Sequence, residues 1–169
     1  ENFEFFFVAQ EELGNDSSFE FINYTGRVTI DNFKVVETDG ERTFEDGRKV
    51  PLKIAEHDYY EKGKRIASAK CSIIHGKEVN REEFTYTENG TSKTYAKYEN
   101  GKLVLRSETD FYKDGEIVPD CHDVEKEERI YDKNNQLKLV IEYTYPKDKK
   151  GNVIANVEKE TNVQTGEVV

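Results

Sequence analysis

Short stretches of alternating apolar and polar residues run through most of the chain, and dipeptides rich in Gly, Asn or Asp separate them. Alternation of period two places the apolar residues on one face of a strand. Phe19 to Ile22, Arg27 to Ile30 and Phe33 to Val36 read as strands, and Gln10 to Asp16 as a loop or a single helical turn. The strongest turn signals are Asp39-Gly40, Asp46-Gly47, Asn89-Gly90, Asn100-Gly101 and Asp114-Gly115, because type I′ turns hold both central residues at positive φ. Lys62-Gly63, His75-Gly76, Asn134-Asn135, Gly151-Asn152 and Thr165-Gly166 are weaker versions. The pattern predicts an all-β fold: an antiparallel meander of successive β-hairpins, forming an up-and-down barrel or a strongly twisted open sheet. It reads as a single β-rich domain over residues 1–169, less regular over residues 1–30.

Individual turns predict registers. With Asn100-Gly101 as a two-residue loop, Glu99 faces Lys102, Tyr98 faces Leu103, Ala96 faces Leu105 and Lys93 faces Glu108. Tyr98, Leu103, Ala96 and Leu105 then share an apolar face, and opposite charges pair on the other, each pair worth about 0.2–1 kcal/mol. Asp114-Gly115 predicts a similar hairpin, with Lys113 facing Glu116, Tyr112 facing Ile117 and Phe111 facing Val118 before Pro119 ends the ladder. Around Asn134-Asn135 the spacing of Tyr131 and Leu137 suits a three-residue loop with Asn in the left-handed position. The connection from Tyr145 to Val153 is longer. One parity conflict arises. The Asn89-Gly90 turn pairs Phe84 with Tyr95 and Tyr86 with Lys93, which sets Tyr95 on the face opposite Tyr98 and Ala96. A bulge near Lys93 resolves it, and so does a sheet covered on both faces.

Composition narrows the class. The 169 residues are 35% hydrophobic and 36% charged, which suits a thin sheet or open barrel better than a thick core. Ten Tyr and ten Phe, with no Trp or Met, favour strands. The net charge of −10 lacks the basic footprint of a nucleic-acid binder. Lys147, Lys149 and Lys150 form the sole basic run and read as a solvated loop. An acidic surface favours solubility and steers cationic partners. No apolar run reaches the length of a transmembrane helix. Phe3 to Val8 is too short to span, and it has no basic residues before it, so it is not an intact signal peptide. The first residue is Glu1 rather than Met, which a removed signal peptide accounts for, as does a chosen boundary. The expected setting is secreted or cell-envelope, with the cytoplasm left open.

Cys71 and Cys121 stand fifty positions apart. A disulfide between them would contribute about 4 kcal/mol in the chain-entropy account; two free thiols are the other reading. Asn15-Asp16-Ser17, Asn23-Tyr24-Thr25 and Asn89-Gly90-Thr91 match the N-glycosylation pattern.

Tyr98-Glu-Asn-Gly-Lys-Leu103, Tyr112-Lys-Asp-Gly-Glu-Ile117 and Tyr60-Glu-Lys-Gly-Lys-Arg-Ile66 share a Tyr, a polar Gly turn and an aliphatic residue, and Tyr131-Asp-Lys-Asn-Asn-Gln-Leu137 is a looser version. The segment 95–118 resembles the bacterial variant of MORN repeats, and the last example resembles a YD repeat of Rhs-type surface proteins. The resemblance implies successive β-hairpins serving as structural or interaction surfaces, with no catalytic residues to carry over.

Chemistry is sparse. His57, His75 and His122 are the only histidines; His57-Asp58 and His122-Asp123 are adjacent pairs, and Cys121 precedes His122. Neighbours on a strand point to opposite faces, which separates Cys121 from His122 and argues against a Cys/His nucleophile. Asp120, His122 and Asp123, with His57, are the residues a metal would need, yet no metal-binding spacing is present, and Glu125, Glu127 and Glu128 read as a solvated face. No metal, cofactor or catalytic residue is expected. The tyrosines read as cross-strand filling, or else as an interface, where Tyr beside charge is common; Tyr59, Tyr86, Tyr95 and Tyr143 are the candidate binding residues.

Three functions follow. The first is a non-catalytic, secreted or cell-envelope module that binds a protein partner through its sheet. The second is a lipocalin-like barrel holding a small apolar ligand. The third is an acidic immunity or antitoxin-type inhibitor of a basic partner. Oligomeric state has no signature in the sequence.

Overall fold

The computed structural model describes residues 19–23, 26–30 and 32–169, with side chains from residue 36 onward. The segments Phe3 to Val8 and Gln10 to Asp16 lie outside the described residues. The strands are β1 (Phe19–Asn23), β2 (Gly26–Ile30), β3 (Asn32–Thr43), β4 (Lys49–Glu61), β5 (Lys64–Ile74), β6 (Lys77–Tyr86), β7 (Ser92–Glu99), β8 (Lys102–Phe111), β9 (Glu125–Tyr131), β10 (Leu137–Thr144) and β11 (Val157–Asn162). β1 and β2 pair with each other, while β3 to β11 form one nine-stranded antiparallel sheet in strict chain order. The expected strands at Phe19, Arg27 and Phe33 are all present.

The sheet is not closed. β3 and β11 are its two edges and do not pair with each other. The far edge of β11 is taken instead by the end of the chain, where Glu160 and Val169 exchange backbone hydrogen bonds of 2.9 Å and Thr161 bridges Val168. The barrel expectation is therefore corrected, because the edge that would seal it is already occupied.

Two turn geometries build the meander. Lys62-Gly63, His75-Gly76 and Asn100-Gly101 are type I′ turns, with φ of 50°, 51° and 48° at the first residue and 76°, 73° and 75° at the glycine. In the second kind, at Phe44–Arg48, Thr87–Thr91, Asp132–Gln136 and Asp148–Asn152, the first N–H reaches the fifth carbonyl and the fourth N–H reaches the first carbonyl. Its fourth residue is left-handed, a glycine in three cases and Asn135 (φ 61°) in the other, as expected of the loop between Tyr131 and Leu137.

One turn expectation and one hairpin expectation fail. Asp39-Gly40 lies inside β3, with Gly40 opposite Leu52. The glycine there serves packing, since an added Cβ would sit 3.1 Å from Leu52 Cδ1 and 3.3 Å from Ile54 Cδ1. Asp114-Gly115 does make a tight turn, with Glu116 N–H donating to the Lys113 carbonyl at 3.0 Å. Its flanks do not pair as strands, however. Gly115 N–H donates to the Cys121 carbonyl and Tyr112 N–H to the Val124 carbonyl, so residues 112–124 form a folded loop rather than a hairpin.

Six successive strand pairs each carry one extra residue near the start of their second strand. Comparing the paired residues on either side of each register shift leaves Ile66, Val79, Lys93, Val104, Lys126 and Lys138 without an opposite number. A bulge sharpens the right-handed twist and reverses which face the following residues meet. The bulge at Lys93 does not remove the parity conflict, because it lies between the turn and Thr94 and leaves Phe84 opposite Tyr95; apolar side chains occupy both faces, Phe84 and Tyr95 on one and Ala96 and Tyr98 on the other. The bulge at Val104 was not foreseen. It leaves Tyr98 opposite Leu103, but moves Ala96 onto Arg106, Lys97 onto Leu105 and Thr94 onto Glu108.

With the bulges counted, one face is buried and the other open. The buried face carries Ala55, His57 and Tyr59 from β4, Ala67, Ala69 and Cys71 from β5, Arg81, Glu83 and Thr85 from β6, Ala96 and Tyr98 from β7, and Arg106 from β8. Its small residues make room for its charges: His57, Ala69, Glu83, Ala96 and Arg106 lie in one cross-strand row. Arg81 Nε is 2.9 Å from Glu83 and 3.4 Å from Glu78, and its guanidinium lies 4.8 Å over the Tyr98 ring. Burial pushes Glu83 well above the ordinary carboxylate range, outweighing the attraction of Arg81.

Two outcomes are expected from unfolding measurements. Gly101→Ala should cost about 1–2 kcal/mol, because an L-residue is strained at that φ, whereas Gly40→Ala should cost less, since its close neighbours are methyl ends; equal losses would refute the distinction. A carboxyl with a raised folded-state pKa stabilises fully below its unfolded value of 4.5, and that contribution is lost as pH rises toward the folded value. The stability of Glu83→Gln relative to the parent should therefore increase as pH rises above 4.5. A pH-independent gap in urea titrations would contradict the shift.

Candidate functional site

The open face holds the larger apolar side chains of the centre of the sheet. Phe84 on β6 stands opposite Tyr95 on β7, with ring centroids 5.1 Å apart, and its ring lies 6.3 Å from Tyr86 in a stacked orientation. Polar neighbours hold these rings. The Tyr86 and Ser68 hydroxyls are 2.5 Å apart, Arg65 lies 4.3 Å over the Tyr86 ring, and Tyr95 Oη donates to Glu82 at 2.7 Å. The Ile66 bulge makes the Arg65 contact: without it Arg65 would share the buried face of Ala67, whereas the register shift sets it opposite Tyr60 on the open face.

Depressions lie at both ends of this aromatic cluster. Toward the 44–48, 75–76 and 100–101 turns is a groove of about 650 Å³, lined by Arg42, Phe44, Lys70, Ser72, Ile74, Val79, Asn80, Glu82, Lys97, Glu99 and Asn100. Arg42 and Arg48 flank the Phe44 ring at 4.9 and 4.7 Å. At the other end a cleft of about 270 Å³ lies between the 62–63 turn and the end of β6, lined by Lys62, Lys64, Arg65, Ile66, Tyr86 and Thr87, with Glu61 and Glu88 at its rim. From Asn80 to Thr87 the track runs roughly 23 Å at about 3.3 Å per residue.

A second patch of the same face lies over β9 to β11. Glu128 stands in line with Ile141 and Glu160, and Tyr143 stands opposite Glu158. Tyr112 donates to the Tyr143 carbonyl at 3.0 Å and packs edge-on against Tyr145, whose hydroxyl donates to the Glu125 carbonyl. Burial, with Glu128 and Glu158 nearby, raises Glu125, and burial with the same acidic surroundings pushes Tyr143 up to about 12.

The four candidate tyrosines therefore divide. Tyr86 and Tyr95 come together through Phe84, which sequence reasoning had paired with Tyr95 but not selected as a binding residue. Tyr143 is buried within the acidic patch. Tyr59 points the other way, 1% exposed on the buried face beside Ala67. Cys71 and Cys121 are both free: Cys71 is buried on β5, where desolvation raises its thiol, and Cys121 lies in the 112–124 loop. In that loop His122 Nδ1 is 2.8 Å from Asp114, while Asp123 accepts hydrogen bonds from Thr87 at 2.7 Å and Asn89 at 3.3 Å. Those contacts dock the loop onto the 87–91 turn. His57 is on the buried face of β4, on another element from the loop acids, and among the described residues no three His, Cys, Asp or Glu side chains are grouped to hold a metal ion. Among the described residues no helix is long and apolar enough to cross a membrane.

No protein family, curated protein or solved structure matches the chain.

The acidic patch generates a direct check. Glu158→Gln removes one negative charge facing Glu125 and should lower the Glu125 titration midpoint in carboxyl NMR. An unmoved midpoint would show that the two carboxylates do not interact.

Proposed function

We propose that the protein is a non-catalytic interaction module that binds a partner protein through the open face of its sheet, in the secreted or cell-envelope setting expected from the sequence. The observation that carries this reading is the division of labour between the two faces. One face is closed over β4 to β8, while the other presents an aromatic cluster between a groove and a cleft. Aromatic side chains amid mixed charge are the composition of binding hot spots. Their hydroxyls are already held by Ser68 and Glu82, so little side-chain freedom is lost on docking. An interior ligand site of the lipocalin kind is not proposed, because the sheet has no closed interior.

A second reading, an acidic inhibitor of a basic partner, is favoured by the Glu125, Glu128, Glu158 and Glu160 patch around Tyr143 and by the net charge of −10. Both readings invoke a protein partner, and they differ in which patch meets it.

The test uses Tyr86→Ala, Tyr95→Ala and Lys70→Glu in the full chain, with Tm measured for each. A defined partner captured by the parent should be lost by at least tenfold in the first two variants at Tm values near the parent's. Capture that survives all three substitutions overturns the open-face reading. Capture lost only on Glu128→Lys or Glu160→Lys establishes the acidic-patch reading in its place.

A further inference from the structure

We propose that the free edge of β3 is a second interaction site, beyond the open face, which accepts an extended basic segment of a partner as a tenth strand, with Lys or Arg at alternate positions. The two edges of the sheet are treated differently. β11 is covered by the last residues of the chain through paired backbone hydrogen bonds. β3 pairs with β4 over twelve consecutive positions without a register shift, and among the described residues nothing pairs with its other side. From residue 36 to residue 43 every residue of β3 except Gly40 is exposed, so both flanks of this stretch are accessible. It holds no proline and no bulge, two of the devices that blunt an edge, and its charged residues leave the backbone ladder regular. A regular edge with free N–H and C=O groups is what strand addition requires.

Charge selects the occupant. Alternation places Glu37, Asp39 and Glu41 on one flank of β3, opposite Ala55, Lys53 and Pro51. Glu41 is paired with Lys49 at 2.9 Å, whereas Glu37 and Asp39 have no ion pair among the described residues. A second copy is disfavoured. Two β3 strands paired antiparallel about a twofold axis normal to the sheet keep the same flank on the same side, so the acidic row would lie against itself, and like charges across a ladder are destabilising. Residues 1–18 are disfavoured too, since they contain Glu1, Glu4, Glu11, Glu12 and Asp16 but no Lys, Arg or His. A foreign strand with cations two residues apart meets the acidic row along one flank, and Val36, Thr38 and Gly40 along the other. The overall charge of −10 draws such a segment toward the protein.

The probe is an acetylated, amidated octapeptide of alternating Lys and Thr, titrated onto the full chain by fluorescence anisotropy, with three controls. One is a peptide of the same composition with its four lysines contiguous, one carries N-methyl groups on alternate residues so that one hydrogen-bonding edge is blocked, and one is the alternating Glu-Thr peptide. The alternating Lys-Thr peptide should bind at least tenfold more tightly than each control. Glu37→Lys with Asp39→Asn, which sets no cation opposite Lys53, should abolish that preference at unchanged Tm, and binding should slow hydrogen exchange within β3. Equal binding of the contiguous or N-methylated peptide overturns the proposal in favour of plain charge attraction. Dimerisation of the free protein that is lost in that doubly substituted variant overturns it in favour of a second copy. The Tyr86 and Tyr95 variants should bind the peptide like the parent, so failure here leaves the open-face reading standing, and the converse also holds.

Discussion

Everything on the two faces of this sheet depends on one extra residue in successive strand pairs. In a strand the side-chain period is two, so each unopposed residue exchanges the faces of the residues that follow it. Six such residues in successive strand pairs, each near the start of the second strand, make the exchange a repeated device of the chain. The bulge at Ile66 turns Arg65 onto Tyr86. The bulge at Val104 leaves Leu103 with Tyr98 but sets Leu105 with Lys97 and Arg106 with Ala96. If the ladders ran unbroken, the rings of Tyr86 and Tyr98 would still sit on their strands, but their neighbours would be drawn from the wrong flank. Repeated bulges also compound twist, which bends the open face enough to form a groove at one end.

The buried face is the more unusual of the two. The side chains under its solvent-excluded surface are mostly small or polar, and Ala55, Ala67, Ala69, Cys71 and Ala96 alternate with His57, Arg81, Glu83 and Arg106. A buried charge is costly unless it is paired, and both arginines are paired with carboxylates of their own strands, with aromatic rings of the next strand beside them. Arg81 lies between Glu83 and Glu78, and Arg106 is 2.6 Å from Glu108 with its guanidinium 3.7 Å over Tyr131. Further along, Arg129 joins Asp110 and Glu127 at 2.6 Å each. The charge fraction of the sequence, which argued for a thin sheet, is thus spent partly inside. That frees Phe84, Tyr86 and Tyr95 for the open face.

Much of the meander was legible because turn chemistry and alternation agree locally. Asn100-Gly101 and its first two pairs, Glu99 with Lys102 and Tyr98 with Leu103, need only residues within a few positions of each other. The sequence was less informative where a residue type serves two purposes. Gly40 has the dipeptide of a turn but the surroundings of a close-packed strand, next to Leu52 and Ile54 that are far from it in sequence. Lys62 and His75 occupy left-handed positions that would usually favour Asn or Gly, so their turns read as weaker than they are. The conflict between two hairpins at Tyr95 was legible, and its cause is apolar side chains on both faces rather than the bulge at Lys93, which leaves Phe84 opposite Tyr95. The bulge at Val104 was not legible, because Leu103-Val104-Leu105 is apolar throughout and reads equally well in either register. Tyr59 and Tyr86 are alike in composition of neighbours, and only the count of bulges between them tells which one faces solvent.

The same reasoning separates the two edges. An antiparallel sheet built in chain order always leaves its first and last strands with unpaired backbone groups. This chain resolves one of them internally, since the 163–166 turn brings Val168 and Val169 back along β11. Among the described residues none pairs along the outer edge of β3, and β1 and β2 pair with each other. The edge left open is also the one whose exposed flank carries Glu37 and Asp39. A row of like charge there does two things at once. It suppresses pairing with identical copies, which is the hazard of a long regular edge, and it leaves the backbone ladder available to a strand of opposite charge. On the strand-addition proposal, one row of charge accounts for both effects at β3: it disfavours pairing with a second copy and favours a strand of opposite charge.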